Sequence, residues 1–192
     1  MSHAPRPCSL DVASDFFRDS EDLLQRYKLT IEHFYAVRSK RLKCFVDLRM
    51  AAECMLKAHA AYYLMQDLDR EQVIRNVEKF GHRVKHIGDA VGQFIDTAKW
   101  DALRPFVEQL EHLPVGLRYR LDVFDFRDEN EEYYYQTVGR DEWLDDLHDA
   151  IASIAEDFNE QLATHDQILT GEEVWQALEA SEGQYKKYAK KP

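Results

Sequence analysis

Two groups of side chains in this sequence have the types and spacing for chemistry. Glu53 and Lys57 stand four residues apart within LRMAAECMLKAHAAYY, residues 48–63, a stretch that is otherwise largely apolar. Unpaired charge in such surroundings is costly. The pair is therefore expected to neutralise itself, in the favourable Glu-before-Lys order, or to form the floor of a pocket. The second group is His82, Arg83, Lys85 and His86, a basic turn directly after Gly81. Backbone N–H groups at a helix start already favour anions, so this turn, with Arg118 and Arg120, is a candidate phosphate pocket. The plainer alternative is a surface turn, with the two arginines paired to the acidic stretch at 125–132. The cluster Arg38, Lys40, Arg41 and Lys43 reads the same two ways, as an RNA contact or as a solvated helix end.

Other chemistries have less to stand on. A di-iron carboxylate bundle needs Glu-x-x-His from each of two helices. Asp145-x-x-His148 comes nearest and occurs once. Cys8, Cys44 and Cys54 form no CxxC, and on one helix Cys44 and Cys54 point about 280° apart, so a thiolate metal site or a disulfide framework is not expected. No Walker A, GxSxG or GxGxxG pattern is present. Neither a metal nor a cofactor is expected.

These residues need elements to hold them, and composition points to helices. The 192 residues are 45% hydrophobic and 32% charged, with only seven Gly and five Pro, too few turn formers for many short strands. The net charge of −11 is uneven: residues 1–96 balance at +1 and residues 97–192 at −12. An acidic second half repels phosphates, so any nucleic-acid contact is expected in the first half. The start, MSHAPRPCSL, lacks the apolar core of a signal peptide. No window approaches eighteen apolar residues. The expectation is a cytoplasmic protein without a membrane anchor.

Hydrophobic spacing and caps predict the elements in order. Residues 1–9 read as a loose tail. A first helix, capped by Ser9 or Asp11, runs to about Val37; a basic turn at Arg38–Arg41 follows. The second helix, Leu42 to Gln66, is apolar nearly all round and so must be buried nearly all round. Asp69 caps a third, Arg70 to Phe80, which Gly81 ends in a left-handed conformation. A fourth spans His82 to Thr97 and a fifth Lys99 to Leu113, with Pro105 in a first turn or at a kink. Residues 117–123 alternate like an extended segment, and residues 114–140 form a long irregular or hairpin-like excursion. Asp141 caps a long helix to Leu169. A short helix holding Val174, Trp175 and Leu178 precedes a basic tail at 183–192. The whole, 1–192, reads as one all-α domain, a bundle of about six to seven helices.

The segment AAECMLKAHAAYYL, residues 51–64, followed by KFGHRVKHI, residues 79–87, resembles the helical HEPN-like proteins of bacteria. An Ala-rich helix with an Ala-Glu…Leu-Lys element there precedes a Gly-His at a helix start. LPVGLRYRLD, residues 113–122, with the Tyr-rich stretch and Trp-started helix after it, fits the same pattern. The resemblance covers residues 40–165. It implies a bundle that often dimerises and that binds nucleotide, RNA or a protein partner, in some members within defence or toxin–antitoxin systems.

Catalytic members of that family are metal-independent RNases with Arg, four to six residues, then His, and a polar residue after the Arg. Arg75-Asn76…His82 has that form, as does the gap from Arg26 to His33. By that resemblance His82 is the general acid or base, Arg75 steadies the phosphorane charge and Asn76 orients the phosphate. The family's motif lies near the start of the late helix. In this chain the match is mid-chain, and Arg140 and His148 on the late helix stand one residue too far apart. The leading expectation is a binding or regulatory module; the alternatives are an RNase and a ligand-free interaction bundle.

Overall fold

The structure, a computed structural model, describes residues 8–33, 37–113 and 129–164. Among them are seven α-helices: α1 (Cys8–His33), α2 (Val37–Leu64), α3 (Arg70–Lys79), α4 (Val84–Val91), α5 (Thr97–His112), α6 (Glu129–Gln136) and α7 (Asp141–Ala163). A 3₁₀ turn, Gly92–Phe94, joins α4 to α5. No strand occurs among the described residues, and the all-α expectation holds. No helix of the described residues is long and apolar enough to cross a membrane. The chain divides into a unit ending at Leu162 and a second from Ala163, which lies almost wholly outside the described residues.

α2 is the post of the bundle. Between Ala51 and Ala61 every residue is buried except Cys54, which is half-buried. Small residues at 51, 52, 58, 60 and 61 let neighbouring helices approach, while Phe45, Leu48, Met55 and Leu56 fill the spaces between them. α1 lies antiparallel to α2: Ser20 Oγ donates to Ala51 O at 2.9 Å, and Arg26 pairs with the buried Asp47. α7 runs parallel to α2, with Arg41 on Asp141 at 2.7 Å at one end and Tyr63 on Gln161 at 2.6 Å at the other. α5 closes the array against α7, through Trp143 Nε1 on Gln109 at 2.7 Å and Lys99 Nζ on Ser153 O at 2.9 Å.

The short helices are placed by local chemistry. Asp69 and Gln72 form a reciprocal capping box on α3, at 2.9 and 3.2 Å. Gly81 takes φ +60°, the left-handed stop expected of it. Asp96 caps α5 through Ala98 N and Lys99 N. The indole of Trp100 lies across Gly88 and Gly92: a Cβ on Gly92 would meet Trp100 Cε2 at 2.4 Å. Two glycines one turn apart thus make the seat that locks α4 onto α5.

Several sequence expectations shift. Residues 38–41 belong to α2, so the expected basic turn is helix; Arg41 is fixed by Asp141. The fourth helix begins at Val84 and stops at Val91, because Gly92 and the Trp100 contact end it early. Pro105 lies in the interior of α5 on an exposed face. Residues 129–136, expected to be irregular, are helical. Three consecutive tyrosines hide their period: Tyr133 is half-buried, Tyr134 buried and Tyr135 exposed. Gly139 then folds back so that its N–H donates to Tyr134 O at 2.8 Å. Cys8 and Ser9, expected in the loose tail, begin α1, while residues 1–7, the extended pattern at 117–123, Arg118 and Arg120, the helix at 174–178 and the basic tail lie outside the described residues.

Candidate functional site

α2 carries Arg49, Glu53 and Lys57 at successive intervals of four, so the three side chains follow one another along one face. All three are buried. Charges taken from water survive only when paired or fully hydrogen-bonded, and each of these has a partner. Lys57 Nζ donates to Glu53 Oε1 at 2.6 Å, and its ammonium also sits 5.9 Å from the centre of the Phe16 ring. Arg49 donates to Leu110 O, to Leu113 O at 3.5 Å and, through Nη2, to His82 O at 3.3 Å. It therefore ties the end of α5 and the α3–α4 turn to the same post. Burial holds its guanidinium below the usual arginine pKa, against the pull of Glu53 and Glu111.

The turn after Gly81 is held a second time. His82 Nδ1 lies 3.0 and 3.1 Å from the two carboxylate oxygens of Glu53. The carboxylate is the acceptor, so Nδ1 carries the proton. The imidazole is 80% exposed and the Glu53 side chain 10%, so the ring's far edge faces solvent while its near edge is anchored in the core. In the neutral ring Nε2 is then a bare acceptor, and in the charged ring it is a donor to an anion. A carboxylate-oriented imidazole of this kind suits both anion binding and proton transfer.

No family model, curated protein or solved structure matches this chain.

Function must therefore be argued from where the side chains stand. Glu53 and Lys57 meet each other, and Glu53 joins them to His82. Arg83 turns back onto α3, with Nε on Phe80 O and Nη2 on Lys79 O, both at 3.3 Å, and so satisfies two carbonyls at that helix end. His86 is exposed and tilts against the Phe80 ring at 5.6 Å. Lys85 pairs with Asp89 at 3.1 Å, while its backbone N–H donates to Glu111 at 3.4 Å.

Arg75 and His82 are not held together. Arg75 is 68% exposed and engaged by Glu71; His82 is engaged by Glu53. Asn76 accepts from Lys79 Nζ at 2.7 Å. Among the described residues no group of three or more His, Cys, Asp or Glu is placed to hold a metal ion.

Arg49 is the residue that sequence reasoning missed. Its signal was present: a third charge four positions before Glu53, on a helix with no polar face to receive it. Glu111, in the last turn of α5 and accepting from Lys85 N at the start of α4, had no such signal, because the contact spans 26 positions.

Proposed function

We propose that the protein is a HEPN-like binding module for a phosphate-bearing ligand, a nucleotide or RNA, held at the α3–α4 corner. The observation that carries this reading is the exposed His82 imidazole fixed by the buried Glu53 carboxylate. Lys79, Arg83, Lys85 and His86, all exposed, surround it in sequence, in a chain whose other half is strongly acidic. A preset donor costs less to order on binding than a free side chain. Fluorescence anisotropy of a labelled single-stranded RNA, in competition with free nucleotides, tests it. Binding should weaken as salt rises, and His82→Ala should weaken it at least tenfold. Absence of binding at low salt, or an unaffected variant, rejects the reading.

A second reading, the metal-independent RNase of Arg75, Asn76 and His82, is favoured by the same carboxylate-backed imidazole. It requires Arg75 to leave Glu71. RNA cleavage in EDTA that His82→Ala abolishes would establish it, and intact RNA would dismiss it. Homodimerisation and a defence or toxin–antitoxin setting follow from the family resemblance. Light scattering at micromolar concentration showing only the 22.6 kDa chain would count against the dimer.

A further inference from the structure

Two imidazoles are held at Nδ1 by a carboxylate, His148 by Asp149 at 2.9 Å and His82 by Glu53 at 3.0 Å. A carboxylate accepts, so in both rings Nδ1 keeps the proton and Nε2 of the neutral ring is a bare acceptor. In His148, whose ring stacks on Tyr27, Nε2 is sealed from solvent and has no hydrogen-bond partner. The His82 ring is 80% exposed, so its Nε2 edge meets whatever occupies the α3–α4 corner.

That fixed tautomer sets a condition on an anion. A neutral His82 offers a phosphate oxygen a lone pair and no donor. The neighbouring cations are engaged: Arg83 on the carbonyls of Phe80 and Lys79, Lys79 Nζ on Asn76 at 2.7 Å, and Lys85 Nζ on Asp89 at 3.1 Å. His86 lies against the Phe80 ring. Behind His82, Lys57 neutralises Glu53 at 2.6 Å, and Arg49 is committed to backbone carbonyls. On the α5 side Glu111 accepts from Lys85 N at 3.4 Å, which adds a negative group and no donor.

A proton placed between Nε2 and the anion removes the mismatch, and imidazole is the side chain that takes one up near neutral pH. A phosphate monoester loses its second proton at about pH 6, so it can bring that proton or accept it from the ring. Either way one hydrogen bond joins Nε2 to a phosphate oxygen. A phosphodiester has no such proton and can only accept from a charged ring. It also carries one negative charge where the monoester carries two.

Given phosphate binding at the α3–α4 corner, on which this rests, we propose that His82 recognises a phosphate monoester by sharing one proton between Nε2 and a phosphate oxygen. The monoester is the terminal phosphate of a nucleotide or of an RNA end. At mildly alkaline pH the proton comes from solvent, one for each ligand bound.

Isothermal titration of the full chain compares a nucleoside 5′-monophosphate with its methyl ester, and one short RNA with and without a 5′-phosphate. In at least one pair the monoester should bind at least tenfold tighter, and the two pairs tell a free nucleotide from an RNA end. Titration at about pH 8 in Tris and in HEPES, whose ionisation enthalpies differ, should show uptake of close to one proton. Affinity should fall as pH rises from about 7 to about 9, approaching tenfold per unit. His82→Gln should abolish both the preference and the proton uptake while the helical circular dichroism is kept, and His86→Ala should leave both. If no phosphate compound binds, the corner reading fails and the monoester assignment with it. If diesters bind as tightly as monoesters, if no proton is taken up, or if His82→Gln keeps either signature, the monoester assignment alone is overturned.

Discussion

Glu53 and His82 are 29 positions apart, yet both carboxylate oxygens of the first reach Nδ1 of the second, at 3.0 and 3.1 Å. The same carboxylate holds Lys57 at 2.6 Å. One buried group thus serves as the counter-charge of the central helix and as the brace of an exposed imidazole.

Glu53→Gln is expected to cost about 3–5 kcal/mol, the usual penalty for stranding one member of a buried ion pair. Urea denaturation measures it. The double variant Glu53→Gln, Lys57→Met should lose less than Glu53→Gln alone, because no buried ammonium is then left unpaired. Equal losses would mean that Lys57 reaches solvent.

Arg49→Met removes a guanidinium that donates to carbonyls of Leu110, Leu113 and His82. Losing charged hydrogen bonds to buried acceptors should destabilise by on the order of 3 kcal/mol. Arg83→Met, at an exposed helix end, should cost less than about 1 kcal/mol. Chemical denaturation of the two variants side by side checks the ranking.

Gly92→Ala puts a methyl group into the Trp100 indole, 2.4 Å from Cε2. Overpacking of this kind costs about 1–3 kcal/mol, and the indole must shift to relieve it. The melting temperature should fall and the tryptophan emission should change. An unchanged emission spectrum would show that Trp100 does not occupy the glycine seat.

His59 is buried against Phe158, with its Nδ1 2.9 Å from Met55 O, and burial holds its pKa down at about 4. The unfolded chain, with an ordinary histidine, binds a proton first as pH falls. Acid therefore favours unfolding: the neutral-state stability is present above pH 6.5 and is lost progressively down to about pH 4. The loss reaches about 3 kcal/mol at the lower end. Denaturation midpoints from about pH 7.5 down to about pH 4.5, most of the way from the unfolded to the folded value, should follow this slope, and His59→Leu should flatten it.

Thiol accessibility separates the three cysteines. Burial pushes the Cys44 and Cys54 thiols up to about 12, whereas Cys8 is exposed. Since the thiolate is the reactive form, a thiol reagent at mildly alkaline pH should label Cys8 rapidly and the other two only on unfolding. Mass spectrometry of the labelled peptides reads the order.

The helical elements were readable from the sequence wherever a cap or a clean period marked them. Asp69, Gly81 and the buried stretch of α2 behave as their local chemistry dictates, because capping and burial act within a few residues. The basic turn expected at 38–41 failed for the opposite reason: Arg41 finds Asp141, 100 positions away, and no local rule anticipates that partner. Likewise the three tyrosines of α6 look alike in sequence and differ only in what covers them.

The site divides in the same way. That Glu53 and Lys57 would pair follows from their spacing and from the cost of burying charge. Whether His82 would face Arg75 or Glu53 does not follow from spacing, since the left-handed turn at Gly81 sets the direction of the chain beyond it. The anchoring role of Arg49 and the unpaired Nε2 of His148 exist only once α2, α5, α1 and α7 have packed. Tertiary contact decided them, because a buried hydrogen bond is defined by which groups exclude water from it. Sequence alone determined the helices marked by a cap or a clean period and that Glu53 and Lys57 had to be neutralised; the fold decided the remaining helix bounds and which partners the buried charges find.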